Sequence, residues 1–344
     1  MFNRIAVFGV GAIGGTIGGY LTRAGHDVTL IDQWAEHVET MKRDGLKVTA
    51  SDEEFTVPVN AMHLGEACNI TEPFDLIFLS MKSYDTVWAT HFILRLLSPT
   101  GVIVSAQNGI NDETIAPIAG YTRTLGCVIT LGAGMYDPGN PQRTSVSSRM
   151  AFKLGELNGM ETERIKALAE MLSVVGPTHV TTNLWGERWA KLAVNSMANP
   201  ICALTSLGSA ASREAPGVVD VTVKIGAEVV QVGAALGVHI EPINGVPAQM
   251  YVDAAKDTLV LEELKSRLAE TAKELGAGRP SMLQDVMKGR RTEIEFLDGY
   301  VARRGVEVGV PTPACDAITS LIKQVERGEI ESEPSNIKYM EAFM

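Results

Sequence analysis

The chain has 344 residues, enough for two ordinary domains, and 45% hydrophobic with 21% charged residues is the composition of a globular protein. Its formal net charge of -11 argues against nucleic acid and anionic membranes as partners, because both select basic surfaces. Its four cysteines lack metal-ligand spacing, so we expect reduced thiols, no metal and a cytoplasmic location.

Strand and helix patterns alternate along the first half of the chain. Buried apolar runs that alternate with helices indicate βαβ units, so we expect a Rossmann-type doubly wound α/β sheet. The predicted strands are 5–8, 27–31, 47–49, 55–57, 76–80, 101–105, 125–131, 150–154 and 178–180, and the predicted helices are 13–24, 35–44 and 161–175.

Helical periodicity dominates after about residue 183. The helical stretches are 184–198, 218–236, 259–275, 282–303 and 313–327. We therefore predict an α/β domain over residues 1–183 and an all-α domain over residues 184–344. The polar tail from Gly328 is expected to be poorly ordered or to dock on a partner.

A glycine-rich turn directly follows the first strand and opens the first helix. Such a turn lets the backbone approach a pyrophosphate, which rests on the N–H groups of the helix N-terminus. Asp32, at the end of the second strand, is placed to accept the adenosine ribose hydroxyls and favours NAD(H); the alternative is a helix N-cap. The predicted dinucleotide-binding residues are Gly9, Gly11, Ala12, Ile13 and Gly14 in the turn.

A polar stripe marks the first predicted helix of the second half. Lys191, Asn195 and Asn199 are four residues apart, so they share one face of a helix whose other positions are largely apolar. Burying a lysine without a partner is costly. The stripe therefore indicates either the wall of a pocket for an anionic or carbonyl-bearing ligand or a structural polar network between packed helices.

Six separated motifs make this chain resemble the ketopantoate reductase family, whose helical domain is of the 6-phosphogluconate dehydrogenase type. The motifs are Gly9 to Gly14, Met81 to Thr86, Gln107-Asn108-Gly109, Lys191 to Pro200, Ser281 to Asp285 and Gly289 to Ile294. The resemblance implies an NAD(P)-dependent oxidoreductase that reduces a small 2-oxo acid, with pantothenate biosynthesis as the family's pathway. It also implies NADP(H) as the cofactor if the chain is an ordinary member.

The resemblance further implies roles for individual side chains. Lys191 matches the general acid that protonates the keto oxygen, and Glu293 matches a carboxylate that orients this lysine or contacts substrate. Asn195, Asn199 and Ser281 match substrate-binding positions, although Ser281 with Gln284 also fits a capping box. Lys82 and Asn108 match residues on the cofactor side, and Asn108 also matches a position near the reacting centre. A solvated loop lysine and an Asn-Gly turn are the plain alternatives.

Three departures from the family pattern leave the substrate open. Asp32 stands where NADPH-using members carry a basic or neutral residue, Ser209 replaces a substrate-side asparagine, and residues 244–278 form a longer connection. An apolar series in this insert (Leu261, Leu264, Leu268, Leu275) suggests a helix that packs on a partner subunit or over the cleft. We expect a homodimer through the helical domain, on the resemblance and on the apolar helix 218–236.

Other functions remain as alternatives. A catabolic NAD-dependent dehydrogenase of another hydroxy acid or sugar acid fits Asp32, and opine-type dehydrogenation fits the same scaffold. A non-catalytic sensor of nucleotides would need the glycine turn but not the lysine–asparagine stripe together with Glu293.

Overall fold

The computed structural model describes residues 2–272 and 278–343. By its internal contacts the chain divides into two compact units, Met1–Leu184 and Trp185–Met344. The first unit is an α/β structure and the second is helical, which confirms the predicted fold class. Within the described residues, no helix combines the length and the apolar character needed to cross a lipid bilayer.

Strands and helices alternate along the first unit. Its strands are β1 (Arg4–Phe8), β2 (Asp27–Asp32), β3 (Leu46–Thr49), β4 (Glu54–Val57), β5 (Asn60–His63), β6 (Phe74–Leu79), β7 (Leu97–Ser105), β8 (Thr124–Ile129), β9 (Ala133–Asp137), β10 (Asn140–Arg143), β11 (Phe152–Glu156) and β12 (Thr178–Val180). Its helices are α1 (Ala12–Arg23), α2 (Ala35–Asp44), α3 (Thr86–Leu94), α4 (Asp112–Ala119) and α5 (Glu163–Leu172).

The main sheet has eight strands in the order β12-β11-β8-β7-β6-β1-β2-β5. All neighbours are parallel except β11, which runs antiparallel to β8. Alternate residues of β1 face opposite cores: Ile5 and Val7 join one hydrophobic cluster, and Ala6 and Phe8 join the other. A strand buried on both faces is apolar throughout, which is why the sequence of β1 lacks alternation.

A second, four-stranded sheet has the order β4-β3-β10-β9. Its halves are separated along the chain, and they join where Gln142 pairs with Thr49 in parallel. The sequence predicted short strands at the positions of β3 and β4 but did not predict β5, β9 or β10. Helix α1 packs against both β10 and β3, so this sheet lies beside the helix that follows the glycine turn.

The second unit contains α6 (Leu184–Thr205), α7 (Ser209–Glu214), α8 (Val218–Ala235), α9 (Ala248–Ala254), α10 (Thr258–Ala272), α11 (Ser281–Met287), α12 (Asp298–Val308) and α13 (Pro313–Glu326). The single helix predicted over 282–303 is wrong. Residues between α11 and α12 instead form a turn, in which Gly289 has a φ of +60°, followed by a short 3-10 segment at Ile294–Phe296. Positive φ favours glycine and ends a helix.

The C-terminal tail is ordered, contrary to expectation, and it packs on its own unit. The amide of Asn336 donates to the Leu204 carbonyl oxygen (3.1 Å), and the Ser332 hydroxyl donates to the Ala203 carbonyl oxygen (2.5 Å). Met340 is fully buried. The tail therefore covers the C-terminal end of α6.

The long apolar helix α8 and the insert helix α10 also find their partners within the chain. Val221, Val229 and Val232 of α8 are fully buried, so the apolar character of this helix no longer supports a dimer, and that prediction rests on the family resemblance alone. In α10, Leu264 is fully buried and Lys265 pairs with Asp220 of α8 (2.9 Å). Leu275, the last residue of the predicted series, lies outside the described residues.

Candidate functional site

The glycine turn between β1 and α1 has the geometry of a phosphate-binding loop. Helix α1 begins at Ala12, so its first N–H groups have no acceptor within the helix and are available to an anion. A Cβ atom at Gly14 would collide with the Gly9 carbonyl oxygen and the Ser80 hydroxyl, whereas a Cβ at Gly11 would meet nothing within 4 Å. Gly14 therefore permits close packing, and Gly11 faces open space where a ligand can approach.

Gly9 is required for a different reason. Its φ is +92°, and a Cβ there would lie 2.6 Å from the Met81 Cγ atom and 2.8 Å from the Met81 backbone nitrogen. The Ser80 hydroxyl donates to the Gly9 carbonyl oxygen at 2.6 Å. The turn after β1 is thus packed directly against the segment that follows β6.

Asp32 binds the glycine turn through its own carboxylate. One oxygen, Oδ2, accepts the Val10 backbone N–H at 2.6 Å, and the other accepts the Trp34 N–H at 2.8 Å. The N-cap of α2 is Trp34, so Asp32 lies before the cap position. The alternative prediction, that Asp32 serves as the N-cap of this helix, is therefore wrong. Each oxygen keeps a further lone pair, because a carboxylate offers about four acceptor sites. Asp32 can therefore hold the turn and still accept from a ligand hydroxyl.

His37 also holds the glycine turn, a role for which the sequence contains no signal. Its ring is fully buried; Nδ1 accepts the Gly139 N–H at 2.7 Å, and Nε2 lies 2.8 Å from the Val10 carbonyl oxygen. Because Nδ1 accepts, the proton must be on Nε2, which donates to Val10. Burial lowers the pKa of His37, with the Asp32 charge opposing the shift, so the neutral ring is favoured.

The segments after β6 and β7 are joined by a network of buried amides and hydroxyls. The Gln107 amide donates to the Met81 carbonyl oxygen at 2.9 Å and to the Thr86 hydroxyl at 2.8 Å. The Asn111 amide donates to the Asn108 carbonyl oxygen at 2.7 Å and to the Ser83 hydroxyl at 3.1 Å. Polar residues just after neighbouring parallel strands are the signal that could have identified Gln107 and Asn111 as supporting residues.

This network brings the predicted cofactor-side residues to one edge of the sheet. Lys82 lies in the segment after β6 and Asn108 in the segment after β7, both partly buried. The glycine turn after β1 and Asp32 at the end of β2 complete the set. Because ligands collect at the carboxyl ends of parallel strands, this edge is the candidate dinucleotide site.

The polar stripe of the second unit lies on one uninterrupted helix. Lys191, Asn195 and Asn199 all fall within α6, the two asparagines are 5% and 7% exposed, and Lys191 is partly buried. Lys191 and Asn195 both take part in polar or electrostatic interactions. One ammonium and two carboxamides therefore share a helix face that is largely withdrawn from water.

The remaining predicted residues lie on α11 and in the turn after it. Ser281 is the first residue of α11, and the cap position is Pro280, so the capping box with Gln284 is not formed. Glu293 is only 5% exposed and precedes the 3-10 segment. It is therefore not a charged residue on the exposed surface of a helix. Arg291 pairs with Glu295 at 2.6 Å. The Ser209 N–H donates to the Gly278 carbonyl oxygen (2.9 Å), which joins Ser209 to the segment that leads into α11.

A dinucleotide turn at the edge of a parallel sheet, followed by a helical unit with a lysine on a buried polar face, defines a nicotinamide-dependent oxidoreductase. The sequence model described as "Ketopantoate reductase PanE/ApbA" matches residues 5–159, and its C-terminal counterpart matches residues 183–326. The chain therefore belongs to the ketopantoate reductase family.

Relatives and solved structures agree along nearly the whole chain. It is 30% identical to the 2-dehydropantoate 2-reductase of Pyrococcus horikoshii (94% of this chain, 97% of the relative) and 28% identical to that of Archaeoglobus fulgidus (95% and 99%). A Geobacter metallireducens 2-dehydropantoate 2-reductase structure matches with a TM-score of 0.79 and 26% identity (93% and 99%). A ternary structure of D-mandelate dehydrogenase with NADH and anilino(oxo)acetate matches equally well, with a TM-score of 0.79 and 26% identity (94% and 99%).

Proposed function

We propose that this chain uses NADH to reduce the keto group of a small 2-oxo acid to a hydroxy acid, with ketopantoate as the first candidate substrate. The observation that carries the proposal is the α6 face, on which Lys191 stands beside two buried carboxamides. In the proposal, residues 1–183 bind the dinucleotide and residues 184–344 supply the groups that handle the substrate.

Lys191 is the proposed general acid. Hydride addition to a keto carbon leaves negative charge on the oxygen, and a positioned ammonium neutralises it both by its charge and by giving up a proton. Arginine would supply the charge but not the proton, since its pKa is too high. The buried carboxylate of Glu293 is the proposed partner that orients this lysine. Asn195, Asn199 and Ser281 offer donors for the carboxylate and hydroxyl groups of the substrate.

NADH is the proposed reductant because of Asp32. A carboxylate at the end of β2 accepts hydrogen bonds from the ribose hydroxyls of NADH and repels the 2′-phosphate of NADPH. No side chain of positive charge stands at Gln33 or Trp34 to offset that repulsion. Relatives solved with NADH support the same choice, since the D-mandelate dehydrogenase complexes contain that cofactor.

A second candidate is a dehydrogenase of a different 2-hydroxy acid. The similarity to D-mandelate dehydrogenase is as high as the similarity to 2-dehydropantoate 2-reductase structures, and Asp32 fits an NAD-dependent oxidation. Turnover with a panel of 2-oxo and 2-hydroxy acids, each with NADH and NADPH, separates the candidates. A kcat/KM for ketopantoate that is at least tenfold above the other acids supports the first.

The mechanism is tested by Lys191→Ala. We expect kcat to fall by about 10²- to 10⁴-fold, the usual contribution of a general acid, with NADH affinity changed less than about twofold. Lys256→Ala is the matched control, because Lys256 is an exposed lysine of the same unit. If Lys191→Ala retains the turnover of the control, Lys191 is not the acid.

A further inference from the structure

The indole of Trp34 is stacked on an imidazole next to Asp32. The ring centroids of Trp34 and His37 are 5.4 Å apart, and the two ring planes differ by 27°. The Trp34 backbone N–H donates to an Asp32 carboxylate oxygen at 2.8 Å. A hydrogen bond of the backbone and a stacking contact of the ring therefore hold the indole close to the Asp32 carboxylate.

His37 is a rigid support for this indole. The imidazole is fully buried, and its nitrogens lie 2.7 Å from the Gly139 backbone nitrogen and 2.8 Å from the Val10 carbonyl oxygen. Val10 also donates its N–H to Asp32 at 2.6 Å. Asp32 and His37 thus bind the same residue of the glycine turn, so the stacked pair of rings is fixed relative to that turn.

The accessible surface of this ring pair belongs to Trp34. His37 is fully buried, whereas Trp34 is partly exposed, and its neighbours Gln33, Ala35 and Glu36 are exposed. An indole offers a large, flat and mostly apolar surface, which favours an offset-stacked second ring. The part of the indole that His37 does not cover is therefore available to a planar group that lies beside Asp32.

The order of the strands indicates which part of a dinucleotide would lie here. Strand β2 lies on one side of β1, and β6 and β7 lie on its other side. Trp34 follows β2, whereas Lys82 and Asn108 follow β6 and β7. A dinucleotide whose pyrophosphate lies at the turn after β1 extends one nucleoside to each side, and a carboxylate after β2 is the position that binds the adenosine ribose. The base on the side of Trp34 is then adenine.

We infer that Trp34 is the stacking platform for the adenine ring of the cofactor and that His37 is the positioning residue that holds this platform. A neutral purine suits the place, because the nearby carboxylates of Asp32 and Glu36 disfavour an anion, and stacking uses the face of the base. The inference rests on the proposed dinucleotide site of residues 1–183. It depends on neither the choice between NADH and NADPH nor the identity of the substrate.

AMP tests the platform without turnover, since it carries only the adenosine half of the cofactor. Stacking on adenine quenches the fluorescence of an indole, so AMP should quench the emission of the wild-type protein saturably. Trp34→Phe should lose most of this quenching. Trp88→Phe is the matched control and should keep it, because Trp88 is a partly buried indole of the same unit that lies on α3 and donates to Asp85 at 2.7 Å.

Affinities then measure the contribution of the stack. Trp34→Leu should weaken the binding of AMP and of NADH about 5- to 150-fold, the range expected for one stack of a base on an aromatic ring. Trp34→Phe keeps an aromatic face and should restore most of that affinity. Reduced nicotinamide mononucleotide lacks adenine and should bind to the wild-type protein and Trp34→Leu equally well.

The same ligands separate a platform from a packing role. A variant that only loosens the glycine turn would weaken reduced nicotinamide mononucleotide by the same factor as NADH, and that result overturns the platform. Equal AMP affinity in the wild-type protein and Trp34→Leu, at saturable AMP binding, also overturns it while the dinucleotide site stands. If the wild-type protein binds none of AMP, NADH and NADPH, the dinucleotide site itself is wrong and the platform with it.

Discussion

Replacing Asp32 perturbs both the stability and the cofactor preference of the first unit. The carboxylate accepts two backbone N–H groups at 2.6 and 2.8 Å, and a hydrogen bond to a charged group contributes about 1.5–3 kcal/mol. Water can replace part of this, because Asp32 is partly exposed. We therefore expect Asp32→Ala to lower the free energy of unfolding by about 3 kcal/mol, near the lower limit of the two bonds combined.

The same variant should lose NADH affinity and narrow the gap to NADPH. Loss of the proposed bonds to the ribose hydroxyls corresponds to about 10- to 100-fold in the dissociation constant of NADH. The affinity for NADPH should change less, because two effects oppose each other. Removing the carboxylate relieves its repulsion of the 2′-phosphate, and losing its bonds to the glycine turn weakens binding. Calorimetric titration with each cofactor and a thermal melt of each variant measure these effects.

Gln33→Arg is the control that leaves the turn intact. Gln33 is exposed, so an arginine there adds a cation next to the expected 2′-phosphate without removing either bond of Asp32. We expect tighter NADPH binding, unchanged NADH binding and an unchanged melting temperature. If the wild-type protein binds NADPH more tightly than NADH, Asp32 does not select the cofactor. If Asp32→Ala leaves the melting temperature unchanged, the two bonds of Asp32 do not stabilise the turn.

Three further predictions concern the packing at the glycine turn and two buried titratable side chains, His37 and Asp298. Gly14→Ala should reduce the affinity for either dinucleotide at least tenfold, because its Cβ collides with the backbone of Gly9. In Gly11→Ala the new Cβ meets no protein atom, so any loss of affinity in that variant comes from contact with the dinucleotide itself. The melting temperature of the wild-type protein should fall as pH falls below about 6.5, because His37 binds a proton in the unfolded chain but stays neutral in the folded protein. The variant His37→Gln should not show this fall. Burial raises the pKa of Asp298 well above its usual value, so the contribution of Asp298 to the free energy of unfolding falls as pH rises from about 4. The melting temperature of Asp298→Asn should therefore fall less toward alkaline pH than that of the wild-type protein.

The sequence could predict those parts of the site that depend on local patterns. A strand, a glycine turn and a helix follow each other within about twenty residues, and the helix face of Lys191 depends only on spacing. The capping box at Ser281 was a wrong local prediction, because Pro280 takes the cap position and Gln284 instead donates to the Arg279 carbonyl oxygen. Short polar motifs fit several local structures, and only the surrounding chain selects one of them.

The parts that could not be predicted depend on contacts between distant segments. The His37 ring bridges Val10 and Gly139, which is 102 residues away from it along the chain. In the sequence, His37 is one histidine on a short helix, and a lone histidine carries no signal for a partner. The four-stranded sheet has the same origin, since Gln142 pairs with Thr49 across more than ninety residues. Register between remote short strands is set by packing and not by propensity.

Helix α6 carries polar residues on two sides: the stripe of Lys191, Asn195 and Asn199, and Ser196. Ser196 is fully buried beside Asp298 and lowers its pKa, although burial raises that pKa more strongly; Glu228 accepts the N–H groups of Ala314 and Cys315 nearby. These are buried polar groups between packed helices, and none of them belongs to the stripe. Ser196 lies about 100° around the helix from Asn195. Because these groups lie on that other side, Lys191→Ala decides between the two interpretations of the stripe: a ligand-binding role predicts a loss of turnover at an unchanged melting temperature, and a structural role predicts a lower melting temperature.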